Sequence, residues 1–134
     1  MKGFYVFDKS AVDFILAKTD GKPYYIQSMC KKAITKILND KRKRVRFDDV
    51  NSLYEDMIRL ELNREFELFW EELSKKMQQF IIRAVKGENI SLSTEQKQEI
   101  HNNDYNYGHR VVKILNGEMK FSTIFRDWLK INYV

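Results

Sequence analysis

Apolar residues recur along the first two thirds of this chain at the three- and four-residue spacing of helices that bury one side. Val12, Ile15 and Leu16 open the pattern. Asp8 or Ser10 stands where an N-cap belongs, and Asp20 with Gly21 marks the stop, Gly21 in the place that often turns left-handed. Pro23, the only proline, suits the first turn of a second helix. That helix is predicted to about Asp40, with Ile26, Met29, Cys30, Ala33, Ile34, Ile37 and Leu38 as its core face. Cys30 on this stripe reads as a small buried hydrophobe, with no nearby base to make it a nucleophile. Residues 44–50 predict a short extended stretch running into an Asp-capped helix, whose apolar face is Val50, Leu53, Tyr54, Met57 and Ile58. The stripe resumes at Phe66 and continues through Trp70, Leu73, Met77, Phe80, Ile81, Ala84 and Val85, as one long helix or as two with Ser74 as a cap. Gly87 ends it.

Beyond Gly87 the character changes. Ser93-Thr94-Glu95-Gln96 has the form of a capping box and predicts a short helix to about Asn102. A loop is expected over 102–108, then strands over 110–115 and 119–124. Between the strands lies Asn116-Gly117, the strongest short hairpin signal a sequence offers. A closing helix over 125–130 completes the pattern. Three helices, a hairpin and a last helix outline a winged-helix module with the hairpin as its wing. A standard winged helix has two helices where 93–108 leaves room for one and a loop. Its recognition helix is therefore shortened, reduced to about residues 103–107.

Length and composition narrow the class. A chain of 134 residues holds one or two compact subdomains, and its nine Phe, seven Tyr and two Trp suffice for a core. No apolar run approaches the roughly 20 residues of a membrane helix, and the charged N-terminal segment does not fit a secretory signal. The single cysteine forms no internal disulfide, which favours a reducing, cytoplasmic compartment. Two histidines and one cysteine without paired spacing argue against a structural zinc site.

Charge is unevenly placed. Residues 1–46 carry 12 basic and 4 acidic side chains, residues 47–72 carry 2 and 9, and residues 73–134 carry 10 and 6. The sharpest feature is Lys41, Arg42, Lys43, Arg44 and Arg46. Such a run is a candidate phosphate contact, because each cation near a nucleic-acid backbone displaces condensed counterions. Arg110, Lys113 and Lys120 on the wing extend the candidate set. The alternative is a solvated loop whose cations suit the negative end of the preceding helix. His101 and His109 have no catalytic arrangement around them. Asn102, Asn103 and Asp104 with Asp127 are a weak cation candidate, and Tyr105 and Tyr107 either stack on bases or pin their loop.

Four segments, in order, carry a family resemblance. Thr19-Asp20-Gly21-Lys22-Pro23-Tyr24-Tyr25-Ile26-Gln27-Ser28-Met29-Cys30 resembles the "T-G-G-H-P-Y-hydrophobic-hydrophobic-Q-x-hydrophobic-C" segment that opens the helical lid in prokaryotic STAND-type, AAA-related ATPases of the archaeal-ATPase-like group. Val45-Arg46-Phe47-Asp48-Asp49-Val50 resembles the start of the next lid helix. Phe66 to Ser74 is similar to the "F-x-x-hydrophobic-W-x-x-L-S" lead into that family's winged helix, and Phe121 to Leu129 resembles its closing "F-x-x-x-L-F-R-x-W-L". The resemblance spans about residues 8–130. It implies a mainly α chain: a helical lid-like subdomain over 1–62, then a shortened winged-helix domain over 63–134. The ATPase core is missing. No G-x-x-x-x-G-K-[ST] phosphate loop occurs, so the chain is expected not to hydrolyse ATP alone, and ATP would be bound through a missing nucleotide-binding domain. In the family, a glycine-x-proline element packs beside adenine. Carried over, that nominates Gly21, Pro23 and Tyr24, although Lys22 replaces the usual histidine.

The expected function is then the non-catalytic C-terminal regulatory region of such an ATPase, coupling nucleotide state to DNA or protein contact by rigid-body movement of the lid. Two other readings stay open. One is a free-standing winged-helix nucleic-acid-binding module. The other is a protein-interaction or self-association domain using the acidic stretch 48–72 and aromatics such as Tyr54 and Tyr133.

Overall fold

A computed structural model of the chain describes residues 6–106, 111–115 and 118–134. It is mainly helical and divides into two compact units, Met1–Arg59 and Leu60–Val134. The first unit contains β1 (Val6–Phe7), α1 (Lys9–Thr19), α2 (Pro23–Asn39), β2 (Arg44–Val45) and α3 (Phe47–Asp56). A π-helical turn, Met57–Glu61, carries the chain across the boundary. The second unit contains α4 (Asn63–Glu71), α5 (Lys75–Val85), α6 (Thr94–Asn106), β3 (Val112–Leu115), β4 (Glu118–Phe121) and α7 (Thr123–Asn132).

In the first unit α1, α2 and α3 pack against one another. The junction between α1 and α2 follows the residues that break and restart a helix. Asp20 and Gly21 both take positive φ, 53° and 72°, and the Gly21 N–H donates back to the Leu16 carbonyl. Pro23 then opens α2, where its missing N–H costs nothing. The buried faces are rotated from those expected. α1 buries Ala11, Ile15 and Thr19, while Val12 and Leu16 are exposed. The reason is that Phe14 turns edge-on to both Phe47 and Tyr54, at 5.1 and 5.5 Å between centroids, which fixes the rotation of α1 against α3. Thr19 is tolerated inside because its hydroxyl donates to the Ile15 carbonyl at 2.6 Å. On α2 the buried line is Tyr25, Met29, Ala33 and Ile37, a strict four-residue spacing. Cys30 is only half-buried and Leu38 is exposed. Tyr54 is buried beneath the Lys18 ammonium, as its place on the apolar face of α3 predicts, and so is not the surface aromatic that the interaction-domain alternative would use.

The parallel pairing of β1 with β2 was not legible in the sequence. It sets Val6 beside Arg44 and Phe7 beside Val45, and buries Val45 completely. Asp8 precedes α1 without capping it, because its carboxylate accepts the Arg44 guanidinium instead.

In the second unit Ser74 separates two helices, its hydroxyl accepting from the Met77 N–H at 3.2 Å. Gly87 ends α5 with φ 96°. Both halves of the capping box at α6 form: Ser93 N–H to Gln96 Oε1 at 2.9 Å, and Gln96 N–H to Ser93 Oγ at 3.2 Å. α6 continues to Asn106, so residues 102–106 are helix and not loop. Two of their side chains explain the extension. Asn103 donates to the Phe69 carbonyl at 2.8 Å. Asp104 is buried and accepts the Val111 and Val112 N–H groups at 2.7 and 3.3 Å, tying the end of α6 to the start of β3. β3 and β4 pair antiparallel, Val112 opposite Phe121 and Leu115 opposite Glu118. The turn at Asn116-Gly117 lies outside the described residues, as do Tyr107, Gly108, His109 and Arg110. β4 stops at Phe121 because the Ser122 hydroxyl caps α7, accepting from Phe125 N–H at 3.2 Å.

Phe66, Phe69, Trp70, Phe125 and Trp128 form the core of this unit, with Phe125 ringed by Phe66, Phe69, Phe121 and Trp128 at 5.4–5.8 Å. The Trp128 indole N–H is satisfied by Asn63 Oδ1 at 2.9 Å. Phe125→Ala is expected to destabilise the unit by about 4 kcal/mol, since the cavity would be lined by rigid rings that cannot collapse. Both tryptophans lie in this unit, so urea unfolding followed by tryptophan fluorescence checks it.

Candidate functional site

Two features of the first unit bear on function: the basic segment after α2, and a groove between α2 and α3. The segment begins where α2 ends. Lys41 takes the left-handed position, φ 56°, and the Arg42 N–H closes back on the Ile37 carbonyl at 2.7 Å. Arg42 is thereby aimed at Asp49. Its guanidinium grips that carboxylate with two bonds, Nη1 to Oδ2 at 3.1 Å and Nη2 to Oδ1 at 2.7 Å, and reaches Asp40 at 3.1 Å. Asp49 also accepts the Arg46 backbone N–H at 2.9 Å, at the third position of α3. Lys36 on α2 stands 3.8 Å away.

Asp49 is nearly buried, and its carboxyl is held down at about 2 from the ordinary 3.8. The Arg42 hydrogen bonds are the main cause, the Arg46 N–H and the positive charge of Lys36 add to them, and burial opposes them. Asp49 and Asp40 in turn hold the Arg42 guanidinium above its ordinary range. Arg44 is spent on Asp8. Two of the five cations read as phosphate contacts are therefore engaged in internal ion pairs, Arg42 closing the α2–α3 connection and Arg44 tying it to the entry of α1. Lys41, Lys43 and Arg46 are exposed.

The groove holds about 730 Å³. Lys31, Lys32 and Lys36 of α2 line one wall, and Ser52 and Asp56 of α3 stand on the other. Lys32 Nζ donates to Ser28 Oγ at 2.6 Å. The sequence reading did not single out these lysines because they are dispersed in the chain. Their signal was helical spacing: Lys31 and Lys32 share one side of α2 with Ser28, Thr35 and Asn39, and Lys36 stands where that side meets the buried line of Met29 and Ala33.

The remaining candidates are scattered. Gly21 and Pro23 are exposed at the α1–α2 junction, with Tyr24 beside them, 55% exposed and edge-on to Tyr25. On the hairpin, the register sets position 113 opposite Lys120, which is exposed. Arg110 and the side chain of Lys113 lie outside the described residues. Asn103 and Asp104 serve the fold of α6 and β3, not a cation. Among the described residues no three His, Cys, Asp or Glu side chains group as metal ligands, and no helix is long and apolar enough to cross a membrane.

Comparison with protein-family models, curated proteins and solved structures gives no match to this chain.

Asp49→Ala is expected to destabilise the first unit by about 2 kcal/mol, because it removes both Arg42–Asp49 bonds, leaving Arg42 with Asp40 and the Arg44 carbonyl, and deprives the Arg46 N–H of its acceptor at the start of α3. The same carboxylate sets an acid limit. Its folded value lies below its unfolded one, so its stabilisation is complete above about pH 4 and is lost as pH falls toward 2. Urea midpoints read by far-UV circular dichroism should therefore fall between pH 4 and 2 in the parent chain and fall less steeply in Asp49→Ala.

Proposed function

We propose that this chain is the non-catalytic C-terminal regulatory region of an AAA/STAND-type ATPase, a lid-like helical unit followed by a winged-helix-like unit, which couples nucleotide state to contact with DNA or protein. One observation carries the reading. Two of the segments that resemble the family, 66–74 and 121–129, are far apart in sequence yet build one core: Phe66 lies 5.6 Å from Phe125 and 5.8 Å from Trp128. The order helix, helix, helix, hairpin, helix in the second unit supports the winged-helix-like reading, with the single helix α6 where the standard module has two. The other two segments fall at helix starts. Pro23 opens α2, and Phe47 to Val50 opens α3.

In this reading Gly21, Pro23 and Tyr24 meet the adenine of a nucleotide held by a separate phosphate-loop domain. Their exposure at the α1–α2 junction supports it, since a contact to another domain requires an accessible edge. The chain contributes no phosphate loop of its own. It acts by moving as a body when the nucleotide changes.

The test is hydrogen exchange on a protein that carries this chain behind a phosphate-loop domain. Amides at 21–25 are expected to be slower in the ATP-analogue state than in the ADP state by at least tenfold. Identical exchange in both states, or steady ATP turnover by the present chain alone, overturns the proposal.

A further inference from the structure

The net charge of the chain resides entirely in one of its two units. Residues 1–59 hold 13 basic and 8 acidic side chains, whereas residues 60–134 hold 11 of each. Within the first unit the most conspicuous cations, Arg42 and Arg44, are bound to Asp49 and Asp8. A groove of about 730 Å³ lies instead along α2; its charged lining residues are Lys31, Lys32 and Lys36 with the single acid Asp56, and apolar atoms form most of its surface.

We propose that the groove between α2 and α3 seats the phosphodiester backbone of a nucleic acid, with Lys31 and Lys32 contacting its phosphates. This does not depend on the ATPase reading. Several observations define the ligand. The groove follows α2 from Ser28 to Asn39, about 16 Å at the helical rise of 1.5 Å per residue, long enough for two or three consecutive phosphates. Beside the lysines it offers neutral hydrogen-bonding groups, Thr35, Asn39 and Ser52, of the kind that position a backbone. Leu53 is the only apolar wall residue and no aromatic ring lines it, so there is no platform on which a base would stack. The contact is therefore to phosphate and independent of sequence. Lys36 is paired with the buried Asp49, whereas Lys31 is exposed and Lys32 is held to Ser28 on the groove wall by a neutral hydrogen bond that a phosphate can replace.

The test is fluorescence anisotropy of a labelled duplex DNA of mixed sequence, about 20 base pairs, titrated with the full chain from 50 to 200 mM salt. Each phosphate neutralised contributes about −0.9 to the slope of log affinity against log salt. The double variant Lys31→Gln, Lys32→Gln is expected to reduce the magnitude of that slope by about 2 and to weaken binding at least tenfold at 100 mM. Lys31→Arg, Lys32→Arg keeps both, and Lys75→Gln at the exposed start of α5 changes affinity less than threefold. Circular dichroism verifies folding. Should the double Gln variant lose helix, the two single Gln variants, each expected to lower the slope by about 1, carry the comparison. No binding at 50 mM salt, or an unchanged slope in folded Gln variants, overturns the proposal. So does full displacement of the duplex by low-millimolar inorganic phosphate at constant ionic strength, which would make the groove a site for the free anion.

Discussion

The first unit turns on one neutralised carboxylate. Asp49 sits nearly buried at the start of α3, and an unpaired charge there would cost several kcal/mol. Three chain segments converge to prevent that: the end of α2 through Lys36, the connecting loop through Arg42, and the start of α3 through the Arg46 N–H. The loop between α2 and α3 is consequently not an arbitrary linker. Its left-handed turn at Lys41 directs Arg42 inward, and the residues that follow are delivered in register to pair with β1. The Asp8–Arg44 pair fastens the same loop to the entry of α1. A basic run that looks like a comb of free cations is therefore partly a clasp.

What the sequence made legible follows from what is local. Helix starts and stops are set by neighbours within four residues, and they read correctly at Gly21, Pro23, Gly87 and the Ser93–Gln96 box, while the cap at Ser74 decides between the two alternatives left open there. Which face of a helix is buried depends on partners remote in sequence. On α1, one residue's difference in register is 100° of rotation, and the aromatic contacts of Phe14 with Phe47 and Tyr54 chose Ala11–Ile15–Thr19 over the more apolar Val12 and Leu16. The extended backbone at 44–45 was expected, but strands of two residues carry too little pattern to reveal β1 or its pairing with β2. The loop expected after Asn102 became helix because Asn103 and Asp104, polar residues that favour loops locally, found partners at the Phe69 carbonyl and at the Val111 and Val112 N–H groups. The candidate site was hidden for the same reason. Adjacency in the chain drew attention to 41–46, while adjacency on a helix surface belongs to Lys31, Lys32 and Lys36.

The second unit is organised differently. Its polar side chains are few inside and each holds a specific backbone or indole group, so the aromatic core is left to set the packing. Asn63 meets the Trp128 N–H, and Gln78 donates to the Trp70 carbonyl at 2.7 Å. Buried polar groups satisfied in this way fix one arrangement of rings instead of several of similar energy. Asp104 does for the hairpin what Ser122 does for α7: it consumes N–H groups at an element's first residues and so defines where that element begins.

Rigidity decides where a phosphate contact is best placed. A lysine in an open loop must lose the freedom of its backbone as well as of its long stem on binding, and either loss opposes affinity. The lysines of α2 stand on a backbone already fixed at both ends, by Pro23 at the start and by the Arg42–Asp49 clasp just past the finish. Only the stems remain to be ordered, and Lys32 is already drawn to Ser28. The internal ion pairs and the groove are thus two parts of one arrangement. Arginines, whose planar forks suit bidentate pairing, are used to hold the scaffold. Lysines, compact charges on long stems, stand along it where the proposed phosphate contact needs them.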